Sequence, residues 1–366
     1  MNRGLKKYFP IIQEKQEILT KIQKSKSLQT LFESWSREQQ EEFLNIVTGI
    51  KGVKMLYDSF FKEIMNPEYN QERLATFLTL LLGKKVKILK VLPNDSTRIA
   101  DETSLLIMDI VVELEDGSIA NIEVQKIGYL FPGQRSACYS ADLLLRQYKR
   151  VRSEKAENFH YKDIKNVYTI VFFEKSPKEF HKFSDTYQHF FEQKSDSGLE
   201  LDLLQKYLFI PLDIFKQSLH NKGIQSELDA WLTFLAVDDM ETIIKLIEEY
   251  PEFRVMYNDV YEICQNVERV MEMFSKELQK LDRNTVQYMI DEMQDTIDAQ
   301  KDKLDAQEEK INAQQDKLDA QEEKIKQGIQ NAVHIMYELK IPEAEILERL
   351  QSLYELTEQQ AKEYLE

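Results

Sequence analysis

Two carboxylates and an amide interrupt an otherwise apolar stretch. In MDIVVELEDGSIANIEVQK, residues 108–126, Asp109 lies in one valine- and isoleucine-rich run, and Glu123 with Gln125 lies in the next. Asp116-Gly117 between them is a hairpin signal. A two-residue turn there sets Asp109 opposite Val124 and sends Asp109 and Glu123 to opposite faces. A three-residue loop of Glu115, Asp116 and Gly117, with Gly117 left-handed, instead sets Leu114 opposite Ser118 and Asp109 opposite Glu123. In that register both carboxylates and Gln125 share one face, because strand side chains alternate with period two. Carboxylates one cross-strand spacing apart repel and titrate high unless a cation lies between them. A hard divalent ion, Mg2+ or Mn2+, resolves the conflict, with Asp109, Glu123, the backbone carbonyl of Val124 and solvent as oxygen ligands. Such an ion activates water and stabilises charge on a scissile phosphate. Gln125 cannot serve as a base, so its role is to position water or phosphate by hydrogen bonding. The competing use of these residues is an acidic hairpin edge facing solvent, since Glu113, Glu115 and Asp116 make that end acidic in any case.

The elements that must hold this hairpin are legible on both sides of it. Residues 1 to about 55 read as helical, with Leu28, Leu31, Phe32 and Trp35 and then, after a polar gap, Phe43, Ile46 and Val47 on a broken helical stripe. VKMLYDSFFKEIM and NQERLATFLTLLLGK are helix-like runs, the second closed by Gly83. VKILKVLP, SLLIMDIVVEL, SIANIEVQ and VYTIVFF read as strands. SACYSADLLLRQYKRVRS, between the last two, reads as a helix with Ala137, Ala141, Leu144, Leu145 and Tyr148 as its apolar cluster. One more strand is expected around 205–210, and beyond about residue 215 the periodicity is helical. The order is that of an α/β protein.

Near the C-terminus a direct repeat occurs: IDAQKDKLDAQEEK at 297–310 returns as INAQQDKLDAQEEK at 311–324. Ile297, Leu304, Ile311, Leu318 and Ile325 recur every seven residues, but the second apolar position of each heptad is filled by Gln, Lys or Glu. This segment is expected to be a solvated spacer or a weakly associating helix, contacting a second copy or another protein, rather than an obligate zipper. A small helical hairpin follows, with Pro342 at a helix start.

The 366 residues suffice for a sizeable core, and the formal net charge of -16 argues against a surface that coats nucleic acid generally while leaving room for a local basic groove. Two cysteines, Cys138 and Cys264, exclude a disulfide scaffold or thiolate cluster and favour a reducing compartment. No stretch approaches a membrane span and the start lacks a signal-peptide pattern, so a cytoplasmic protein without a membrane partner is expected. The histidines lack ligand spacing, and no phosphate loop, dinucleotide fingerprint or H-E-x-x-H competes with the hairpin.

The hairpin resembles the PD-(D/E)XK nuclease superfamily, in particular its transposase-related branch of recombination-promoting nucleases. Asp109 matches the first aspartate of that family, and Glu123-Val124-Gln125 matches the E-x-Q form of its second motif. YDSFFKEIM resembles the branch's opening helix, matching at Asp58, Phe61 and Lys62. PGQRSACYSADLLLRQY resembles the helix after the motif, matching at Arg135, Tyr139 and Gln147. The resemblance spans roughly residues 54–180. It implies a restriction-endonuclease-like α/β core with a mixed sheet, divalent metal, and hydrolysis of DNA phosphodiester bonds, in a family associated with recombination and mobile elements. Asp109 and Glu123 would hold the metal with the Val124 carbonyl, and Gln125 would replace the usual lysine. Lys126 follows it, but an ideal strand points that side chain to the other face.

Accessory roles are open between two uses each. Asp58 lies near the metal or caps its helix; Arg135 binds the scissile phosphate or a neighbouring acid; Tyr139 acts beside it or packs. Arg146, Lys149, Arg150 and Arg152, with Lys155, form the clearest basic run and contact DNA phosphates if they face the groove of Asp109. The expected organisation is a helical preface (1–53), the nuclease-like core (54–215), a helical region (216–290), a heptad-repeat helix (291–330) and a C-terminal helical hairpin (331–366). The rival to a metal-dependent endonuclease is a degenerate nuclease core that serves as a helical interaction or non-catalytic DNA-binding module.

Overall fold

The computed structural model describes residues 4–92, 109–126 and 132–365. The N-terminal region is three helices, α1 (Lys15–Lys24), α2 (Lys26–Ser34) and α3 (Arg37–Val47). The break in the apolar stripe is a helix boundary: the Ser36 hydroxyl accepts from the Gln39 N–H, and the Gln39 side chain accepts from the Ser36 N–H, a capping box at the start of α3. Two further helices, α4 (Asp58–Ile64) and α5 (Gln71–Leu82), precede the sheet. Asn70 caps α5 by accepting from Arg73 N–H, and Gly83 ends it in the left-handed conformation at φ 61°.

The sheet is built from β1 (Ile88–Val91), β2 (Ile110–Leu114) and β3 (Ile119–Gln125), then, after α6 (Pro132–Lys155), from β4 (Val167–Phe173), β5 (His189–Phe191) and β6 (Gln205–Pro211). The spatial order is β1-β2-β3-β4-β6-β5. β3, β4 and β6 run parallel and the outer pairs are antiparallel, so the sheet is mixed. β6 lies where the sequence places a strand. β5 was not anticipated, because a three-residue edge strand is too short to leave a periodic signal. The part of SLLIMDIVVEL before Asp109 lies outside the described residues.

Helices cover both faces, which is why VYTIVFF of β4 reads as a nearly continuous apolar run. On one face Phe77 of α5 stacks on Phe172 at 5.6 Å and on Trp231 at 5.0 Å. On the other, Tyr139 and Leu143 of α6 pack on Val111, Ile119 and Val167. The apolar cluster expected on α6 is not its buried face: Ala137, Ala141 and Leu145 are exposed, whereas Ser136, Tyr139, Ser140, Leu143 and Gln147 are buried. Two serines let the helix approach the sheet, and Gln147 is buried because it satisfies backbone groups. Its Nε2 donates to the Gly117 carbonyl at 3.1 Å and its Oε1 accepts from the Lys165 N–H at 2.7 Å.

After the sheet come α7 (Leu212–Lys222), α8 (Glu227–Ala236), α9 (Met240–Glu249), α10 (Glu252–Gln265), α11 (Val267–Glu338), α12 (Glu343–Tyr354) and α13 (Glu358–Glu363). Contacts divide the chain into two units, Met1–Asp291 and Glu292–Glu366. Within the first, the N-terminal helices, the sheet and the helices after it share one core; Phe274 of α11, for instance, packs on Trp35 at 5.1 Å and Phe43 at 5.6 Å. The second has its own small core of Ile329, Val333, Ile346, Leu350 and Ala361. Among the described residues no helix is long and apolar enough to cross a membrane.

Candidate active site

The β2–β3 connection is the three-residue loop. Gly117 has φ 82°, its N–H donates to the Leu114 carbonyl at 2.9 Å, and the Leu114 N–H donates to the Ser118 carbonyl at 2.8 Å. Register then runs Glu113 opposite Ile119 to Ile110 opposite Ile122. One step further, Asp109 stands beside Glu123 and the two strand ends are cross-tied. The Asp109 N–H donates to Glu123 Oε1 at 3.2 Å, and the Val124 N–H donates to Asp109 Oδ2 at 2.8 Å. A strand residue's N–H and C=O point to the same side, so the Val124 carbonyl also faces the Asp109 side.

These carboxyls are costly as anions. Burial, reinforced by the charge of Asp58, pushes Asp109 up to about 6, although Lys62 and the Val124 N–H pull the other way. Glu123, only 4 % exposed, is pushed well above the ordinary carboxylate range, first by burial and then by the charge of Asp109. Lys62 of α4 bridges Asp109 Oδ1 at 3.1 Å and Asp58 Oδ1 at 3.0 Å. Burial acts to lower the Lys62 ammonium, but the two aspartates more than offset it and hold it above the ordinary lysine range. Lys62 is therefore a fixed cation here and not a base.

Asp58 is the first residue of α4, and Tyr57 holds the cap position, so Asp58 joins the carboxyl cluster instead of capping the helix. Its own N–H donates to Glu277 Oε1 at 3.1 Å, and the other oxygen of Glu277 pairs with the buried ammonium of Lys126. Lys126 points to the face opposite Gln125, as strand alternation requires, and lies over the Tyr57 ring at 4.0 Å. Sequence reading assigned no role to Lys62 or Glu277. The signals were present: Lys62 lies one helical turn after Asp58, and Glu277 interrupts the buried stripe of Val270, Met271 and Phe274.

Glu123 and Gln125 look toward α6. Arg135 lowers Glu123 by its charge, donates from Nε to the Tyr139 hydroxyl at 3.0 Å, and rests on the Tyr139 ring at 5.4 Å. Tyr139 is buried in the small core under α6, and burial, which outweighs Arg135, pushes its hydroxyl up to about 12. Beside Glu123, which Asn121 holds by a side-chain hydrogen bond, lies a polar seam: both amide atoms of Gln125, with Ser136 Oγ and Thr169 Oγ1, are buried without a hydrogen-bond partner among the described residues. The Gln125 amide next to two carboxyls that resist ionisation makes a donor set suited to a hydrated hard cation. Among the described residues no three acidic, histidine or cysteine side chains already converge as metal ligands. In this arrangement the Lys62 ammonium sits between Asp58 and Asp109.

The basic run is not brought to the carboxyls. Gln147 fixes that end of α6 over the hairpin turn, while Arg135 lies by Glu123; the eleven residue-to-residue steps from Arg135 to Arg146 span about 16 Å of helix. Arg146 pairs with Asp142 at 2.6 Å, Arg150 with Glu113 at 2.8 Å and Lys155 with Asp163 at 2.7 Å. Arg152 bonds to the Tyr148 hydroxyl, and Lys149 is exposed.

A family model described as PD-(D/E)XK nuclease family transposase matches residues 55–292. The match takes in Asp58, Lys62, Asp109, Glu123, Gln125, Arg135 and Glu277, and leaves out the heptad repeat. No curated protein and no solved structure matches the chain.

Proposed function

Because the chain belongs to the PD-(D/E)XK nuclease family transposases, we propose that it is a metal-dependent endonuclease that hydrolyses DNA phosphodiester bonds at the Asp109–Glu123 hairpin. The observation that carries this reading is the pair of buried carboxyls, tied to each other's strand ends and raised in pKa, with the Gln125 amide, unpartnered among the described residues, on the same face. Asp109, Glu123 and the Val124 carbonyl would hold Mg2+ or Mn2+. When bound, the ion supplies charge to the scissile phosphate and acidifies a water.

The chain's own groups divide the remaining work. Gln125 orients the attacking water through its amide, which can donate and accept but cannot take the proton. Arg135 offers its planar donor fork to a phosphate oxygen from the α6 side. Lys62 supplies, from α4, the cationic group that Gln125 does not: an ammonium beside Asp109 that pairs with phosphate when DNA displaces its aspartate contacts. The exposed free thiol of Cys138 accords with a reducing, cytoplasmic setting.

The Lys62–Asp109 pair also favours a second reading, a degenerate core in which lysine permanently fills the cation's place and the protein binds DNA without cutting it. Calorimetric titration with Mn2+, alongside incubation of supercoiled and linear DNA with Mg2+, Mn2+ or EDTA, separates the two. Ion binding with EDTA-sensitive cleavage supports the nuclease. DNA binding with neither supports the degenerate core.

A further inference from the structure

The repeat in α11 leaves large apolar side chains in water. Ile297, Leu304, Ile311, Leu318 and Ile325 are 52–64 % exposed and recur every seven residues. With these at heptad position a, position d is glutamine throughout, at 300, 307, 314 and 321, and position g is lysine four times running, at 303, 310, 317 and 324. Position e carries Lys301, Glu308, Gln315 and Glu322 in turn. Charges on an exposed helix find partners three or four residues away. The g lysines are denied them: those positions around Lys303 are Ala299, Gln300, Ala306 and Gln307, and around Lys317 they are Ala313, Gln314, Ala320 and Gln321.

We propose that this face pairs with the same face of a second copy of the chain, parallel and in register. In a parallel pair, g of one helix meets e of the following heptad of the other. Lys303 then meets Glu308 of the second copy and Lys317 meets its Glu322, each twice by symmetry. An antiparallel pair sets g against g, lysine against lysine at every position, and takes the g lysines away from the e glutamates. A one-heptad slip loses one of the four ion pairs and sets Lys303 against Lys301. The a layers bury Ile and Leu against their counterparts, and the d layers pair glutamine amides across the seam. Polar d layers cost stability, so the dimer is concentration-dependent, and the g–e ion pairs set its register and orientation.

The test uses the full chain in sedimentation equilibrium from about 1 to 100 µM, a range that brackets weak association. Wild type is expected to pass from monomer to dimer. A chain carrying Lys303→Glu with Lys317→Glu, and another carrying Glu308→Lys with Glu322→Lys, should each shift to monomer while staying helical by circular dichroism, and an equimolar mixture should restore the dimer. In a Cys138→Ser background, Gln307→Cys should cross-link to itself under mild oxidation, since parallel in-register pairing brings identical d positions together. Wild type that is monomeric throughout, any assembly other than a dimer, a mixture that stays monomeric, or no Gln307→Cys cross-link overturns the proposal.

Discussion

Asp109 and Glu123 hold each other's strand ends: the Asp109 N–H donates to Glu123 Oε1 at 3.2 Å, while Asp109 Oδ2 accepts from the N–H of Val124, the residue after Glu123. Each carboxylate thus uses one oxygen to fix the register, and the second oxygen of Asp109 meets the Lys62 ammonium. That geometry couples the site's chemistry to the fold's stability.

Asp109 titrates near 6 in the folded chain, above its ordinary value. Between those values the folded state binds more protons than the unfolded state, so the metal-free protein loses stability as pH rises through that window. A shift of roughly two units corresponds to at most about 3 kcal/mol. Asp109→Asn, whose amide oxygen can still accept from Val124, should therefore raise the melting temperature of metal-free protein at pH 7.5 and change it little at pH 4. Mn2+ should stabilise wild type but not the variant.

Glu277 is 1 % exposed and is the anionic partner of the buried Lys126. Removing one member of such a pair costs about 3–5 kcal/mol, whereas replacing both costs much less. Glu277→Gln should be strongly destabilised in urea unfolding, and Lys126→Met with Glu277→Gln should recover much of the loss. Burial already holds Lys126 below the ordinary lysine range against the pull of Glu277. Without that glutamate the folded state sheds the proton more readily, so the Glu277→Gln deficit should shrink as pH rises toward the free-lysine value.

Lys62 competes with a divalent ion for Asp109 and is proposed to meet phosphate during the reaction. Lys62→Met should tighten Mn2+ binding in calorimetry yet slow cleavage by about 10- to 100-fold. If Lys62 were only a structural clamp, cleavage would survive wherever the fold does.

Arg150 and Arg135 lie toward opposite ends of α6 and should separate cleanly. Arg150→Ala breaks the pair with Glu113, which should cost about 1–2 kcal/mol and leave kcat/KM near wild type. Arg135→Ala should lower kcat/KM with little change in stability. Parallel unfolding and cleavage measurements on the two variants check this.

The hairpin was legible because its information is local: Asp116-Gly117 marks the turn, but sequence left a two- and a three-residue loop open, and the structure shows the three-residue loop that sets Asp109 beside Glu123. The central strands and α6 were legible for the same reason. What escaped depends on tertiary contact. Which face of α6 is buried was set by Ser136, Ser140 and Gln147, whose polarity argued against burial; Gln147 finds backbone partners at Gly117 and Lys165, and Ser140 Oγ accepts from Gln205 Nε2. Lys62 reaches Asp109 from a helix 47 residues away in sequence (109 − 62), and Glu277 reaches Asp58 across 219. Periodicity carries no trace of such pairings. The basic run from Arg146 shows its charge density in the sequence but not the acids, Asp142 and Glu113, that meet it in the fold.

The central claim is that phosphodiester hydrolysis runs on Asp109 and Glu123, and Glu123→Gln tests it most directly. The amide keeps the side chain's shape and an oxygen for the Asp109 N–H but cannot hold a divalent ion as a carboxylate does. Supercoiled DNA with Mn2+ should be cut by wild type, spared in EDTA, and left intact by Glu123→Gln whose melting temperature equals or exceeds that of wild type. Cleavage by that variant at the wild-type rate would place the chemistry elsewhere in the chain.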